Sequence, residues 1–213
     1  MDRPSLVLWD WDNTLVDGWV SIAAAMNAAF SAFALPHWSV EETRRRARVS
    51  VKDAFPPLFG TEWRRAREIF YGAFNQNHLD NVVPMPGALD AVTAASAWPQ
   101  GIVSNKRGSY LRAEVAHLGW ASLFASVVGA GDAEADKPSP APILLALQKM
   151  NASPERSVWY LGDTATDMQA ARAAGVTAVL VGDASHDGGV ERAAPDLHFE
   201  TALELAARLR ALA

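Results

Sequence analysis

Five short apolar runs, each stopping abruptly at polar residues, constrain the fold of this chain: Leu6 to Trp9, Ile102 to Val103, Val127 to Val128, Val158 to Leu161 and Val176 to Val181. Runs this short, rich in β-branched and aromatic residues, are strands buried on both faces. Between the later ones lie segments with helical spacing, at Tyr110 to Leu118, Ala141 to Lys149 and Thr166 to Ala174. That alternation predicts an α/β fold built on a doubly wound parallel sheet, a Rossmann-like core.

The stretch from Trp19 to Val83 breaks the rhythm. It has no convincing strand and shows helical patterns at Val20 to Phe33, Val40 to Arg48 and Glu62 to Asn77. Pro36, Pro56-Pro57, Gly60 and Pro84-Met85-Pro86-Gly87 punctuate it, and prolines of this kind are expected to stop helices. The expected organisation is therefore a core of residues 1–16 and 85–213 with a helical insertion at 17–84. The alanine-rich segment from Thr201 reads as a closing helix.

Composition narrows the partners. With 213 residues, 50% of them hydrophobic, the chain can bury one full core, or one core and a smaller satellite. The net charge is -5 with both signs mixed, so nucleic acid is not an expected partner, and an anionic ligand needs a local cationic pocket. Without cysteine there is no disulfide framework and no thiolate metal site, which makes the cytoplasm the default compartment. Acids at Asp2, Asp10 and Asp12 do not suit a signal peptide, and no uncharged apolar run reaches the roughly 20 residues that span a bilayer, so no membrane association is expected. Spacing and composition leave the oligomeric state open.

In open α/β sheets ligands bind beyond the carboxyl ends of the strands, so the residues just after each apolar run are the informative ones. The first run ends at Asp10 and Asp12, the second at Ser104, Asn105 and Lys106, and the fourth at Gly162, Asp163 and Thr164, with Asp167 one helical turn on. Lys137 precedes a helix start at Pro138-Ser139-Pro140. Three carboxylates, Asp10, Asp12 and Asp163, can thus meet at one sheet edge, where they invite a hard cation such as magnesium. A carboxylate can attack phosphorus if metal and cationic donors balance the phosphoryl charge, and Ser104 and Lys137 are suitable donors. Asp12 is placed to protonate the leaving oxygen and later to take a proton from water. Asn13 suits a tight, left-handed turn after the strand, and Thr14 is expected to bond within that loop.

Singly, each residue has an ordinary explanation. Asp163 and Asp167 suit a helix start, Ser104-Asn105 a strand-to-helix turn, and Lys137 a solvated surface. Only Asp10 and Asp12 stand out alone, because acids flanked by apolar residues at a strand end are costly unless paired. The combination reverses these odds.

The ordered set resembles the haloacid dehalogenase superfamily, whose phosphatases share an Asp-x-Asp-x-Thr start, a Ser or Thr after a later strand, a Lys, and a Gly-Asp-Thr-x-x-Asp ending. Asp10-Trp11-Asp12-Asn13-Thr14, Val103-Ser104-Asn105-Lys106, Lys137-Pro138-Ser139-Pro140 and Gly162-Asp163-Thr164-Ala165-Thr166-Asp167 match in order across nearly the whole chain. The resemblance implies that Asp10 is the nucleophile and a metal ligand, and that Asp12 is the general acid/base and binds metal through its backbone carbonyl. It further implies that Ser104, Asn105 and Lys137 hold the phosphoryl group. Asp163 would ligate Mg2+ directly and Asp167 would act through water or hold the site in place. Residues 17–84 would be the helical cap.

Pro84-Met85-Pro86-Gly87-Ala88 and the Ser-Asn-Lys and Lys-Pro-Ser-Pro sequences look most like the phosphoglycolate phosphatase group, so the expected substrate is a small phosphorylated metabolite. The first loop departs from many relatives by Asn13 in place of Gly and Trp11 in place of Phe. Dehalogenation is disfavoured because those relatives lack the acid at Asp12. A phosphosugar mutase using the same aspartyl phosphate stays open, with Lys106 leaning toward hydrolysis. A receiver-like signalling domain conflicts with the length and with the insertion after the acid pair. A silent binding module conflicts with the full set of acids, Ser104 and Lys137.

Other residues carry less. Trp9 and Trp11 are expected in the core by alternation, Trp19 either in a substrate cleft or in hinge packing, and His37, His78, His117, His186 and His198 as structural or exposed. The densest basic run, Arg44, Arg45, Arg46, Arg48 and Lys52, is either a solvated helix face or, through Arg48 and Lys52, a contact for an acidic substrate group. Replacing Arg48 or Lys52 with Ala is expected to raise KM for an acidic phosphate ester more than for a neutral one. Equal effects in steady-state assays on the two substrates would remove the contact role.

Overall fold

The structure, a computed structural model, describes residues 3–46 and 51–213, without the side chains of residues 52 and 53. In chain order the elements are β1 (Leu6–Trp9), α1 (Gly18–Ala32), α2 (Val40–Arg46), α3 (Val51–Phe59), α4 (Trp63–Asn77), α5 (Ala88–Ala94), β2 (Gln100–Arg107), α6 (Gly108–His117), β3 (Ser126–Ala130), α7 (Ala141–Lys149), β4 (Val158–Gly162), α8 (Ala165–Ala173), β5 (Thr177–Val181), α9 (Gly189–Ala193), β6 (Leu197–Phe199) and α10 (Ala202–Leu212). Two compact units result, Met1–Val16 with Pro84–Ala213, and Asp17–Val83. Pro84, read in the sequence as the end of the insertion, belongs to the sheet unit, where it bridges Val16. Among the described residues no helix is long and apolar enough to cross a membrane.

The sheet unit holds six parallel strands in the order β3-β2-β1-β4-β5-β6. β1 therefore lies inside the sheet, with Trp9 in register with Ile102 on one side and Leu161 on the other. Chain connections depart in opposite directions from β1, and that switch point is where open α/β sheets bind ligands. Successive side chains serve opposite faces. Leu6, Leu8, Val103, Tyr160 and Leu180 pack with Ile143 and Leu147 of α7 and with Met168 and Ala171 of α8. β6, three residues at the sheet edge, is absent from the pattern of apolar runs because its central residue is His198.

β2 runs past its apolar core, and its register against β3 shifts between Val103 and Arg107. Gly129 makes room for this bulge, since a Cβ there would strike Gly108 Cα and the Lys106 carbonyl. The shift sets where Ser104, Asn105 and Lys106 emerge.

The helical unit packs α1 against α4 around Phe30, Phe55, Phe59 and Phe70, with Phe30 and Phe59 centroids 5.7 Å apart. Pro56 and Pro57 do not break a helix here, contrary to expectation; both lie inside α3. Each proline removes one N–H donor, and burial of Phe55 and Phe59 in the aromatic cluster outweighs that loss. Asp17 caps α1 by accepting from Trp19 N at 2.9 Å. Trp19 is buried, Arg44 lies 3.6 Å from Asp17, and Arg46 pairs with Glu42 at 2.5 Å and covers Trp38. Arg48 and the side chain of Lys52 lie outside the described residues.

Candidate active site

Asp10 follows β1 directly, and its N–H donates to the Leu161 carbonyl at 2.7 Å, so the sheet ladder fixes it beside β4. The chain then closes a tight loop, with Asn13 N to Val16 O at 2.6 Å and Leu15 N to Trp11 O at 2.9 Å. Asn13 has φ of 64°, the left-handed conformation for which Asn is suited. Thr14 does not bond within the loop as expected. Its hydroxyl crosses to Asp163 Oδ1 at 3.2 Å and ties the first loop to the end of β4.

Three carboxylates gather here. Oxygens of Asp10, Asp163 and Asp167, all buried, lie within 4.8 Å of one another. Lys137 enters between them from the segment before α7. Its Nζ donates to Asp10 Oδ1 and Asp167 Oδ1 at 2.6 Å each, and to the Tyr160 hydroxyl at 2.8 Å. Asn105 is placed to hold this lysine, since its amide donates to the Lys137 carbonyl and accepts from the Lys137 N–H, both at 2.9 Å. Ser104 is buried, and its Oγ accepts from Lys106 N at 3.2 Å.

Asp167 caps its own helix. With Thr164 it forms a reciprocal box in which Asp167 Oδ2 accepts from the Thr164 N–H and hydroxyl. Gly162 allows the close approach, because any Cβ there would collide with the Asp167 carboxyl. Both oxygens of Asp167 are thus engaged by protein donors. Asp163 differs, because its buried Oδ2 makes no hydrogen bond among the described residues and faces the His186 imidazole, 3.1 Å away as an ion pair.

Asp12 stands apart from the trio. Its side chain keeps 30% of its exposure and pairs with Lys106 Nζ at 2.7 Å. Lys106 also contacts Glu114 Oε2 at 2.6 Å, and that oxygen accepts from Trp11 Nε1 at 2.7 Å. Trp9 Nε1 likewise finds Gln100 Oε1 at 2.9 Å, so both tryptophans flanking Asp10 are core residues with satisfied indoles.

Glu114, Tyr160 and His186 also line the candidate site, although they do not follow the apolar runs that mark its other residues. Glu114 carried a usable signal, since Leu111, Glu114, Val115 and Leu118 fall at helical spacing and place an acid on the apolar stripe of α6. Tyr160 was hidden in an apolar run, and His186 sits in an irregular loop with no periodicity.

The electrostatics follow from crowding three carboxylates around one buried ammonium. Burial pushes Asp10 up to about 8; Lys137 pulls it down, while Asp167 and Asp163 push it higher. Burial also raises Asp163 against the opposing pull of His186, and raises Asp12 against that of Lys106. For Asp167, Lys137 and the Thr164 and Tyr160 donors outweigh burial and lower the pKa. Burial alone would depress Lys137, but Asp10 and Asp167 hold it well above the ordinary lysine value.

A model for haloacid dehalogenase-like hydrolases matches residues 7–181. The chain belongs to that family. Among its relatives, the phosphoglycolate phosphatase of Escherichia coli K12 is 27% identical, over 93% of this chain and 90% of the relative. A phosphoglycolate phosphatase of Xylella fastidiosa 9a5c is 31% identical, over 86% of this chain and 83% of the relative. A HAD-superfamily hydrolase of subfamily IA from Geobacter sulfurreducens superposes with a TM-score of 0.80 at 19% identity, covering 97% of this chain and 96% of that one, a likeness of fold. Phosphatase is thus the activity carried by the named relatives of this hydrolase.

Raised carboxyl pKa values mean that the folded protein binds more protons than the unfolded chain between about pH 4 and pH 8, so metal-free stability falls as pH rises through that window. The raised His186 adds the same sign above its ordinary value, and the lowered Asp167 acts below the window. Thermal unfolding in chelating buffer is expected to give a Tm several degrees lower at pH 8 than at pH 5. A flat or rising Tm would contradict this electrostatic picture.

Proposed function

We propose that the chain is a magnesium-dependent phosphomonoester hydrolase that works through an aspartyl phosphate on Asp10. The observation that carries this reading is the 2.6 Å pair of Asp10 and buried Lys137 at the carboxyl end of β1, within a trio of carboxylates spanning no more than 4.8 Å. A carboxylate so placed faces a cationic donor able to balance phosphoryl charge. The substrate is a small phosphorylated metabolite, for which the names of the relatives favour phosphoglycolate.

The residues present suit magnesium, because their donors are carboxylate oxygens and the buried Asp163 Oδ2, which faces His186, makes no hydrogen bond among the described residues. Asp10, Asp163 and the Asp12 main-chain carbonyl would hold the ion. Asp167, with both oxygens engaged, acts from outside by fixing Lys137. When bound, magnesium would offset the phosphoryl charge and orient its oxygens.

The chain's own residues do the rest. Asp10 attacks phosphorus while Lys137 and Ser104 bind phosphoryl oxygens, and Asn105 keeps Lys137 in place. Asp12 gives a proton to the departing ester oxygen and takes one back from the water that releases phosphate. The helical unit, inserted in sequence directly after the nucleophile loop, selects the substrate as a cap, with Arg48 and Lys52 as its candidate anion contacts. The lack of cysteine agrees with work in the cytoplasm.

Asp10→Asn is expected to abolish magnesium-dependent phosphate release across a panel of phosphoglycolate, sugar phosphates, nucleotides and pyrophosphate. More than a few per cent of residual activity would contradict the nucleophile. An isomerised sugar in place of inorganic phosphate would point to a mutase.

A further inference from the structure

Behind Asp12 stands a line of groups reaching into the core. Lys106 Nζ touches Asp12 Oδ1 at 2.7 Å and Glu114 Oε2 at 2.6 Å, and Trp11 Nε1 donates to the same Glu114 oxygen at 2.7 Å. Side-chain exposure is 30% at Asp12, 8% at Lys106 and 1% at Glu114, so the line is dry at its base and wet at its tip. Trp120 braces the Trp11 indole edge to face, with centroids 5.9 Å apart.

Were the space behind Trp11 merely to be filled, an apolar residue at 114 would do so without desolvating a charge. A carboxylate there instead fixes the ammonium of Lys106 from the side away from Asp12. The β2 bulge over Gly129 sets the backbone from which Lys106 projects. With Oδ1 of Asp12 held by Lys106, Oδ2 is the oxygen left to exchange a proton with substrate.

We propose that Lys106 and Glu114 are positioning residues that hold the Asp12 carboxyl in register with the leaving oxygen of the ester. This rests on the reading of Asp12 as the general acid/base. In the first half-reaction an Asp10 oxygen bonds to phosphorus and the bond from phosphorus to the ester oxygen breaks; that oxygen leaves as an alcohol with the proton from Asp12. In the second, a water oxygen bonds to phosphorus, its proton passes to Asp12 and the bond to Asp10 breaks. Inorganic phosphate departs and both carboxyls are restored.

An alkoxide leaves poorly without a proton, whereas p-nitrophenolate leaves readily. The constant kcat/KM reports the step in which that oxygen departs; hydrolysis of the aspartyl phosphate comes later and is common to all esters. In Glu114→Gln and Lys106→Met, kcat/KM for an alkyl phosphate is expected to fall about 30-fold or more, and that for p-nitrophenyl phosphate less than about threefold. Equal losses on the two esters, or no loss on either, would overturn the proposal. If a single variant does not fold, Lys106→Met/Glu114→Gln, which removes both charges together, is judged by the same ratio. Wild-type protein that releases phosphate from neither ester overturns the phosphatase reading and the positioning role with it; wild-type turnover with equal losses in the variants overturns the positioning role alone.

Discussion

One buried ammonium organises the site. Lys137, with 4% of its side chain exposed, joins the end of β1 through Asp10 to the start of α8 through Asp167, and it meets the middle of the sheet through the Tyr160 hydroxyl. An ammonium in such a place is tolerated only with good partners on several sides. The fold supplies them from three elements and clamps the lysine backbone with Asn105. Removing either Asp10 or Asp167 takes a partner from the buried ammonium, so a group proposed for catalysis here also holds the interior together.

The two acids of the first loop are separated electrostatically by two different lysines. Asp10 shares Lys137 with Asp167 in a dry pocket, while the partly exposed Asp12 shares Lys106 with Glu114. Titratable groups placed in unlike surroundings can take unlike roles. Residues two apart in a tight loop reach these different environments because β1 sits between β2 and β4. Ser104 and Lys106 extend from one neighbouring strand, and Asp163 and Asp167 follow the other.

The sheet was legible in the sequence because strands buried on both faces are continuous apolar runs, and the polar residues that end them are the ones the structure gathers. Asp10, Ser104, Asp163 and, one helical turn on, Asp167 follow such runs, whereas Lys137 stands out by its place before the helix start at Pro138-Ser139-Pro140. β6 is not legible in this way, since an edge strand of three residues centred on His198 has no such run. α3 defies the sequence pattern because proline is a strong local signal, whereas the burial of Phe55 and Phe59 that overrides it depends on partners in α1 and α4. The contact that Thr14 makes outside its own loop is not legible locally because its partner, Asp163, is distant in sequence. Glu114 is hard to see in the sequence because a single acid on a helix usually faces water, and its place on the apolar stripe of α6 is what sets it apart.

The central claim of the proposed mechanism is a phosphoryl group carried by Asp10. The most direct measurement is acid quenching of Asp12→Asn during incubation with magnesium and p-nitrophenyl phosphate, followed by peptide mapping. This ester needs no acid to depart, but in the proposed mechanism the phosphoenzyme needs the Asp12 base to be cleared, so the phosphorylated form should accumulate. The account predicts a phosphoryl adduct on the peptide at Asp10. An adduct on another residue, or none while wild-type protein turns the ester over, would contradict it.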